Sequence, residues 1–295
     1  MSKNVNSSKN GIVISVIQQS GGVGKSTSNF NLSHILASKG MKVLSIENEL
    51  QSDLMSFYFG RDNKLNIKVP SEVLEISNKN VNIGNAHSLN LYDRNSIIEP
   101  IKIKDNLFFI GSTKHLSKIL AAPYDEVVYD YEENIEKLKK QFDIILIDCP
   151  PTESNLQKAA LLASDYALIP TFLEQKSIGG IAGTIQLINH LKRIKQRSHS
   201  DLNVLGIFVT QYSYTSQQNK ASSLILEQEY NQKLIELYPD FLLKTRISYS
   251  MKMRESSALQ QSIVDYAKED KKASRIANEY ESLAIEILNK IRVSL

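Results

Sequence analysis

Gln18-Gln19-Ser20-Gly21-Gly22-Val23-Gly24-Lys25-Ser26-Thr27 is the stretch on which the reading of this chain turns. The apolar run Ile12 to Ile17 before it reads as a buried strand. Asn29 to Lys39 after it reads as a helix, with Phe30, Leu32, Ile35 and Leu36 apolar. Strand, glycine-rich turn and helix together are the context of a loop that wraps a phosphate. Glycines let successive backbone N–H groups curl round an anion with no Cβ in the way, and the helix N-terminus adds partial positive charge. In that frame Gly21, Gly22, Val23, Gly24 and Thr27 line the anion. Lys25 reaches the terminal phosphates of a nucleotide, and the Ser26 hydroxyl ligates Mg²⁺. The plain alternative is a strand–helix turn carrying a solvated lysine.

Outward from the loop, strand and helix patterns alternate. Val43 to Ile46, Leu107 to Ile110, Ile144 to Ile147, Tyr166 to Ile169 and Val204 to Val209 read as strands, with Leu242 to Ile247 as a last one. Helical patterns separate them around Tyr131 to Gln141, Ile178 to Lys195, Ser222 to Leu237 and Ala273 to Ile291. Short apolar strands between amphipathic helices predict an α/β fold: a doubly wound, mostly parallel sheet with helices on both faces. Such sheets bind ligands at the carboxyl ends of their strands, which is where the loop lies. Residues 11–295 read as one domain, because no Gly/Ser/Pro-rich linker interrupts the pattern. Residues 1–10 are polar and read as a loose tail. Residues 61–105 are Asn-rich, weakly patterned and read as a variable excursion.

A second motif, Phe142-Asp143-Ile144-Ile145-Leu146-Ile147-Asp148-Cys149-Pro150-Pro151, ends a four-residue apolar strand in an acid. Asp148 there is placed to hold Mg²⁺, directly or through water, and the two prolines stop the strand. Cys149 reads as inert small packing.

The loop departs from the common spacing, which puts a glycine where Gln19 stands. The paired Gly21-Gly22 resembles the deviant loop of the ParA/MinD family of ATPases, and Asp148-Cys149-Pro150-Pro151 resembles that family's magnesium-site and switch region. The resemblance implies a P-loop ATPase of this deviant type with ATP and Mg²⁺ as cofactors. It further implies an ATP-dependent homodimer, non-specific DNA as a ligand, and a ParB-like centromere-binding protein as the partner that stimulates hydrolysis. The family's signature lysine precedes the paired glycines and reaches the partner's phosphates; Ser20 stands there. Glu47-Asn48-Glu49-Leu50-Gln51 falls where the family has Asp-x-Asp-Pro-Gln, so Glu49 takes the carboxylate that organises Mg²⁺ and the attacking water. Lys25, Glu49 and Asp148 are thereby the catalytic candidates. An exposed acidic loop is the alternative, stronger for Glu47 than for Glu49. Glu174 matches a glutamate near the nucleotide ribose, with a helix-start acid as the alternative, and Ser177 reads as an N-cap.

The carboxyl-terminal third carries Lys244, Arg246, Lys252 and Arg254 around one turn, and Lys192, Arg193, Lys195 and Arg197 lie at a helix end. The resemblance runs on through Arg246-Ile247, Glu255 and Ser262-Ile263. It makes the first four residues candidates for non-specific DNA contact, with ordinary solvated charge as the alternative.

Composition permits this without demanding it. The chain has 295 residues, is 42% hydrophobic and carries a net charge of +3, which allows a local basic patch. The single cysteine excludes a disulfide framework and fits a reducing cytosol. It also excludes an iron–sulfur cluster bridging two subunits, which needs two cysteines per chain. No apolar run reaches the length of a membrane span. With the loop starting near residue 20 there is no room for an N-terminal helix-turn-helix, so the resemblance is to a short partitioning ATPase, cytoplasmic and nucleoid-associated. Two other readings stay open. One is a scaffold that binds nucleotide with impaired hydrolysis, which Ser20, Glu47, Glu49 and Leu50 favour. The other is a MinD-like membrane-associated ATPase using the amphipathic segment Tyr280 to Leu295.

Overall fold

The structure, a computed structural model, describes residues 10–60, 83–196, 201–212 and 221–291. Among them seven strands form one sheet in the order β3-β4-β2-β5-β1-β6-β7. These are β1 (Ile12–Val16), β2 (Val43–Glu47), β3 (Ile101–Lys104), β4 (Leu107–Ile110), β5 (Ile144–Asp148), β6 (Tyr166–Thr171) and β7 (Asn203–Val209). All pairings are parallel except β3 with β4, an edge hairpin turned at Asn106, which has a left-handed backbone. Every residue of β2 and β5 is buried, as expected for strands covered on both faces.

The helices are α1 (Lys25–Ser38), α2 (Asp53–Phe59), α3 (Tyr124–Lys139), α4 (Asn155–Ala163), α5 (Gln175–Lys195), α6 (Ala221–Leu237), α7 (Met251–Ala258), α8 (Ile263–Glu269) and α9 (Ser274–Lys290). One face of the sheet is covered by α3, α4 and α5 through residues such as Tyr131, Leu161 and Ile188. The other is covered by α1, α2, α8 and α9 through Phe30, Leu54, Ile263 and Leu283. The doubly wound expectation therefore holds.

Four short helices, α2, α4, α7 and α8, carry no expectation from the sequence. One expectation is corrected. The segment Leu242 to Ile247 forms isolated bridges, Ile207 with Leu242 and Tyr212 with Ser248, in place of a strand. The N–H groups of Lys244, Thr245 and Ser248 are taken by the side chains of Glu286 and Glu279 on α9, so no ladder can continue past it. Of the excursion, residues 83–105 are described. Residues 84–86 and 88–92 are 3₁₀ turns, and β3 follows. Tyr92 is buried and donates to Asn48 Oδ1 at 2.8 Å, beside the β2 end. The expected tail, residues 1–9, lies outside the described residues, as do 61–82.

Candidate functional site

The order in which the chain lays down its strands reverses about β1, which lies between β5 and β6. The carboxyl ends of β1, β2 and β5 thus open into one crevice. Register fixes the meeting: Val16 and Glu47 both pair with Asp148.

The loop after β1 is built for close backbone approach. Gly22 and Gly24 have φ of 76° and 87°, conformations that cost an L side chain about 1–2 kcal/mol. Gly24 is also the N-cap of α1. Buried Val23 pins the loop, and its carbonyl accepts a hydrogen bond from Thr210 Oγ1 at 2.9 Å. The strand exit is tied to α5: Gln18 Nε2 donates to Ser177 O at 2.9 Å, and Gln19 N donates to Thr184 Oγ1 at 3.0 Å. Lys25 is buried and its Nζ donates to Ser20 O at 3.1 Å. An ammonium carries three donors, so it keeps capacity for an anion held by the loop. Ser20 is 2% exposed and its hydroxyl has no hydrogen-bond partner. The side chain at the signature position is thus packed inside its own chain.

Asp148 is fully buried, and neither carboxylate oxygen has a hydrogen-bond partner. Burial, then the Glu49 carboxylate, push its pKa up to about 8, while the Ser26 hydroxyl and the Lys25 ammonium pull the other way. A buried carboxylate without partners is costly unless a cation compensates it. Ser26, Asp148 and the phosphates of a nucleotide are the donor set that Mg²⁺ prefers: one carboxylate, one hydroxyl and substrate oxygens. Among the described residues no group of three His, Cys, Asp or Glu side chains could hold a metal by itself.

The exposed-loop alternative for Glu47 and Glu49 is overturned, since Glu47 is 0% and Glu49 7% exposed. Glu47 acts as a remote cap. Its carboxylate accepts from Leu54 N at 2.6 Å, Met55 N at 3.3 Å and Ser112 N at 3.3 Å, fastening the start of α2 to the end of β2. Burial and Asp148 raise its pKa well above the carboxylate range. Glu49 faces Lys25 electrostatically; burial raises its pKa and the lysine opposes the rise. Cys149 is fully buried and burial pushes its thiol up, in keeping with inert packing.

Glu174 is exposed and is itself the residue before α5. Its Oε1 accepts from Ser177 Oγ at 2.9 Å. Ser177 is therefore inside the first turn and is not the N-cap, a correction to the sequence reading. The basic residues divide. Lys252 Nζ is engaged by Glu255 at 2.5 Å and Asp270 at 2.9 Å, which hold its pKa up. Arg246 lies over the Tyr212 ring at 4.9 Å and donates to Asn231 at 2.8 Å. Lys244 and Arg254 are exposed. At the α5 end Lys195 is buried against Ser164 O, Lys192 pairs with Asp201, and Arg197 lies outside the described residues.

A cavity of about 330 Å³ lies beside the loop, and no motif in the sequence announces it. It runs from Gly24 and Thr27 past Thr210 and Gln211 to the segment Ile247 to Ser250, with Met253 and Arg254 of α7 as one wall and Ile276 and Tyr280 of α9 as another. Gln211 adopts a left-handed backbone, φ 54°, where a non-glycine residue is uncommon and functional sites concentrate. The cavity is mostly apolar with a few polar groups and adjoins the anion loop. It has the size and chemistry of a nucleoside site.

Comparison with known proteins agrees with the geometry. Residues 11–204 match the family described as AAA domain. An uncharacterized protein of Methanocaldococcus jannaschii is 33% identical over 78% of this chain and 81% of its own length. The chromosome-partitioning ATPase Soj of Treponema pallidum is 28% identical over 92% of this chain and 95% of its own. Among solved structures, the ATP complex of a substituted form of Cyanothece McdA superposes with a TM-score of 0.72 at 17% identity, covering 97% of this chain and 98% of that one, a likeness of fold.

Proposed function

The chain belongs to the ParA/MinD family, and on that premise we propose that it is a ParA-like DNA-partitioning ATPase. Mg²⁺ and ATP bind at the crevice, with the triphosphate on Gly21 to Thr27, Lys25 on the terminal phosphates, and the nucleoside in the adjoining cavity. The bound metal supplies positive charge to the transferring phosphoryl group. Ser26 and Asp148 hold it there, and Glu49 orients the attacking water. ATP drives a homodimer that brings two weak basic surfaces onto one duplex, so that avidity makes a non-specific DNA binder. A ParB-like centromere-binding protein then stimulates hydrolysis.

The observation that carries the reading is Asp148. Its fully buried carboxylate faces a phosphate loop whose lysine and serine both favour its ionised form. Turnover is slow in this account. Ser20 offers no cation to a partner's phosphates, and glutamate at 49 displaces a carboxylate by one methylene, where a shift of about 1 Å costs on the order of 10²-fold. The membrane reading loses its main support. Ile276, Tyr280, Leu283, Ile287 and Leu288, the apolar face of α9, are buried against the fold, while residues 292–295 of the amphipathic segment lie outside the described residues. Calorimetry with Mg-ATP tests the site. Lys25→Ala abolishes measurable binding if the reading holds, and unchanged binding in that variant removes its basis.

A further inference from the structure

The segment Lys244 to Ser250 is the outer wall of the cavity beside the loop; Ile247, Ser248, Tyr249 and Ser250 line it. It is sewn down on two sides. The N–H groups of Leu243, Ile247 and Tyr249 go to the carbonyls of Ile207, Val209 and Tyr212. Those of Lys244 and Thr245 go to Glu286, at 2.7 and 2.9 Å, and that of Ser248 goes to Glu279 Oε2 at 2.7 Å. Glu279 holds more than the amide. The Ser248 hydroxyl donates to its Oε1 at 2.5 Å, and Arg275 Nε donates to the same oxygen at 3.2 Å. Arg275 Nη2 also donates to Ser248 Oγ at 2.8 Å. These are charge-assisted bonds, the stronger class. The next residue, Tyr280, is part of the cavity, and its hydroxyl lies 3.3 Å from Ser28 Oγ on α1. One helix thus supplies an inner wall of the cavity and fastens the opposite one.

We propose that Glu279 is a positioning residue for the nucleoside half of the nucleotide, acting by fixing Ser248 and the wall it belongs to. The proposal rests on reading the cavity as the nucleoside site. The phosphate loop has fastenings of its own. The loop is held by Thr210 on Val23 and by Ser177 and Thr184 on Gln18 and Gln19, and no bond of Glu279 reaches any of these. Removing the carboxylate takes away the acceptor of both the Ser248 N–H and the Ser248 hydroxyl. The wall then loosens at Ser248, while the bonds on Val23, Gln18 and Gln19 that hold the phosphate loop stay in place.

The test is calorimetry on the full chain with two probes, Mg-ATP and Mg-tripolyphosphate, the second lacking a nucleoside. Glu279→Ala is expected to weaken ATP by about tenfold or more, one hydrogen-bonded charge being worth at least that, and to leave tripolyphosphate within about twofold. Glu279→Gln keeps an acceptor for the Ser248 N–H and should recover most of the ATP affinity. Ser248→Ala, which removes only the hydroxyl, should weaken ATP by a smaller factor with the same selectivity. Equal losses of both probes, or unchanged ATP affinity in a Glu279→Ala protein with the wild-type melting profile, overturn the role of Glu279. A wild-type chain that binds tripolyphosphate as tightly as ATP overturns the nucleoside reading beneath it.

Discussion

Raising the pH should tighten magnesium–nucleotide binding, chiefly through Asp148. Its pKa stands at about 8 in the nucleotide-free protein, chiefly through burial and the Glu49 carboxylate. The folded pKa lies above the unfolded one, so the stabilisation this group gives the free protein is complete below about pH 4 and is lost as pH rises through about 8. A cation binds the ionised form. The ionised fraction is about one in ten at pH 7 and about nine in ten at pH 9, so apparent affinity should gain close to tenfold over that interval, about 1.4 kcal/mol. Binding at pH 7 should also release nearly one proton from this site. Calorimetry in buffers of different ionisation enthalpy measures both quantities. Asp148→Asn should bind weakly, with the excess pH dependence and proton release gone; the titration of the phosphates is common to both proteins. A wild-type affinity that is flat from pH 7 to 9 once the variant is subtracted would refute the argument.

Three further outcomes are expected. Introducing Ser20→Lys together with Glu49→Asp should raise steady-state ATP turnover by about tenfold or more by restoring transition-state charge and carboxylate reach; a fall counts against the roles given to both positions. Replacing Glu255 and Asp270 by their amides frees Lys252 from its two ion pairs and should strengthen duplex binding several-fold at low salt, the gain fading as salt rises. An equal gain from Glu133→Gln with Glu136→Gln, two acids of α3, would assign the effect to net charge alone. Leu283→Ala, at a fully buried position of α9, should cost about 2–5 kcal/mol in denaturant unfolding; a surface-level loss would reopen the membrane reading of that helix.

What the sequence disclosed was local. The loop from Ser20 to Thr27 and the strand ending at Asp148 are contiguous motifs whose meaning depends on neighbours a few residues away, and the structure brings them together. What it hid was assembled from distant parts. Glu47 looks like a loop acid because its partners, the amides of Leu54, Met55 and Ser112, are reached only when α2 folds over β2. Leu242 to Ile247 has the apolar pattern of a strand, and only the glutamates of α9 show why the ladder stops. The cavity draws on α1, the end of β7, α7 and α9, so no window of sequence contains it. Lys252 reads as a free cation until Asp270 is seen beside it.

The central claim is that ATP switches this chain onto DNA, and fluorescence anisotropy with two unrelated duplexes tests it most directly. Each duplex is titrated with the wild-type protein in ATP, in ADP and without nucleotide, across a salt series. The account predicts that ATP alone tightens binding, equally for both duplexes, with a steep loss of affinity as salt rises. Equal affinity in all three nucleotide states would contradict it.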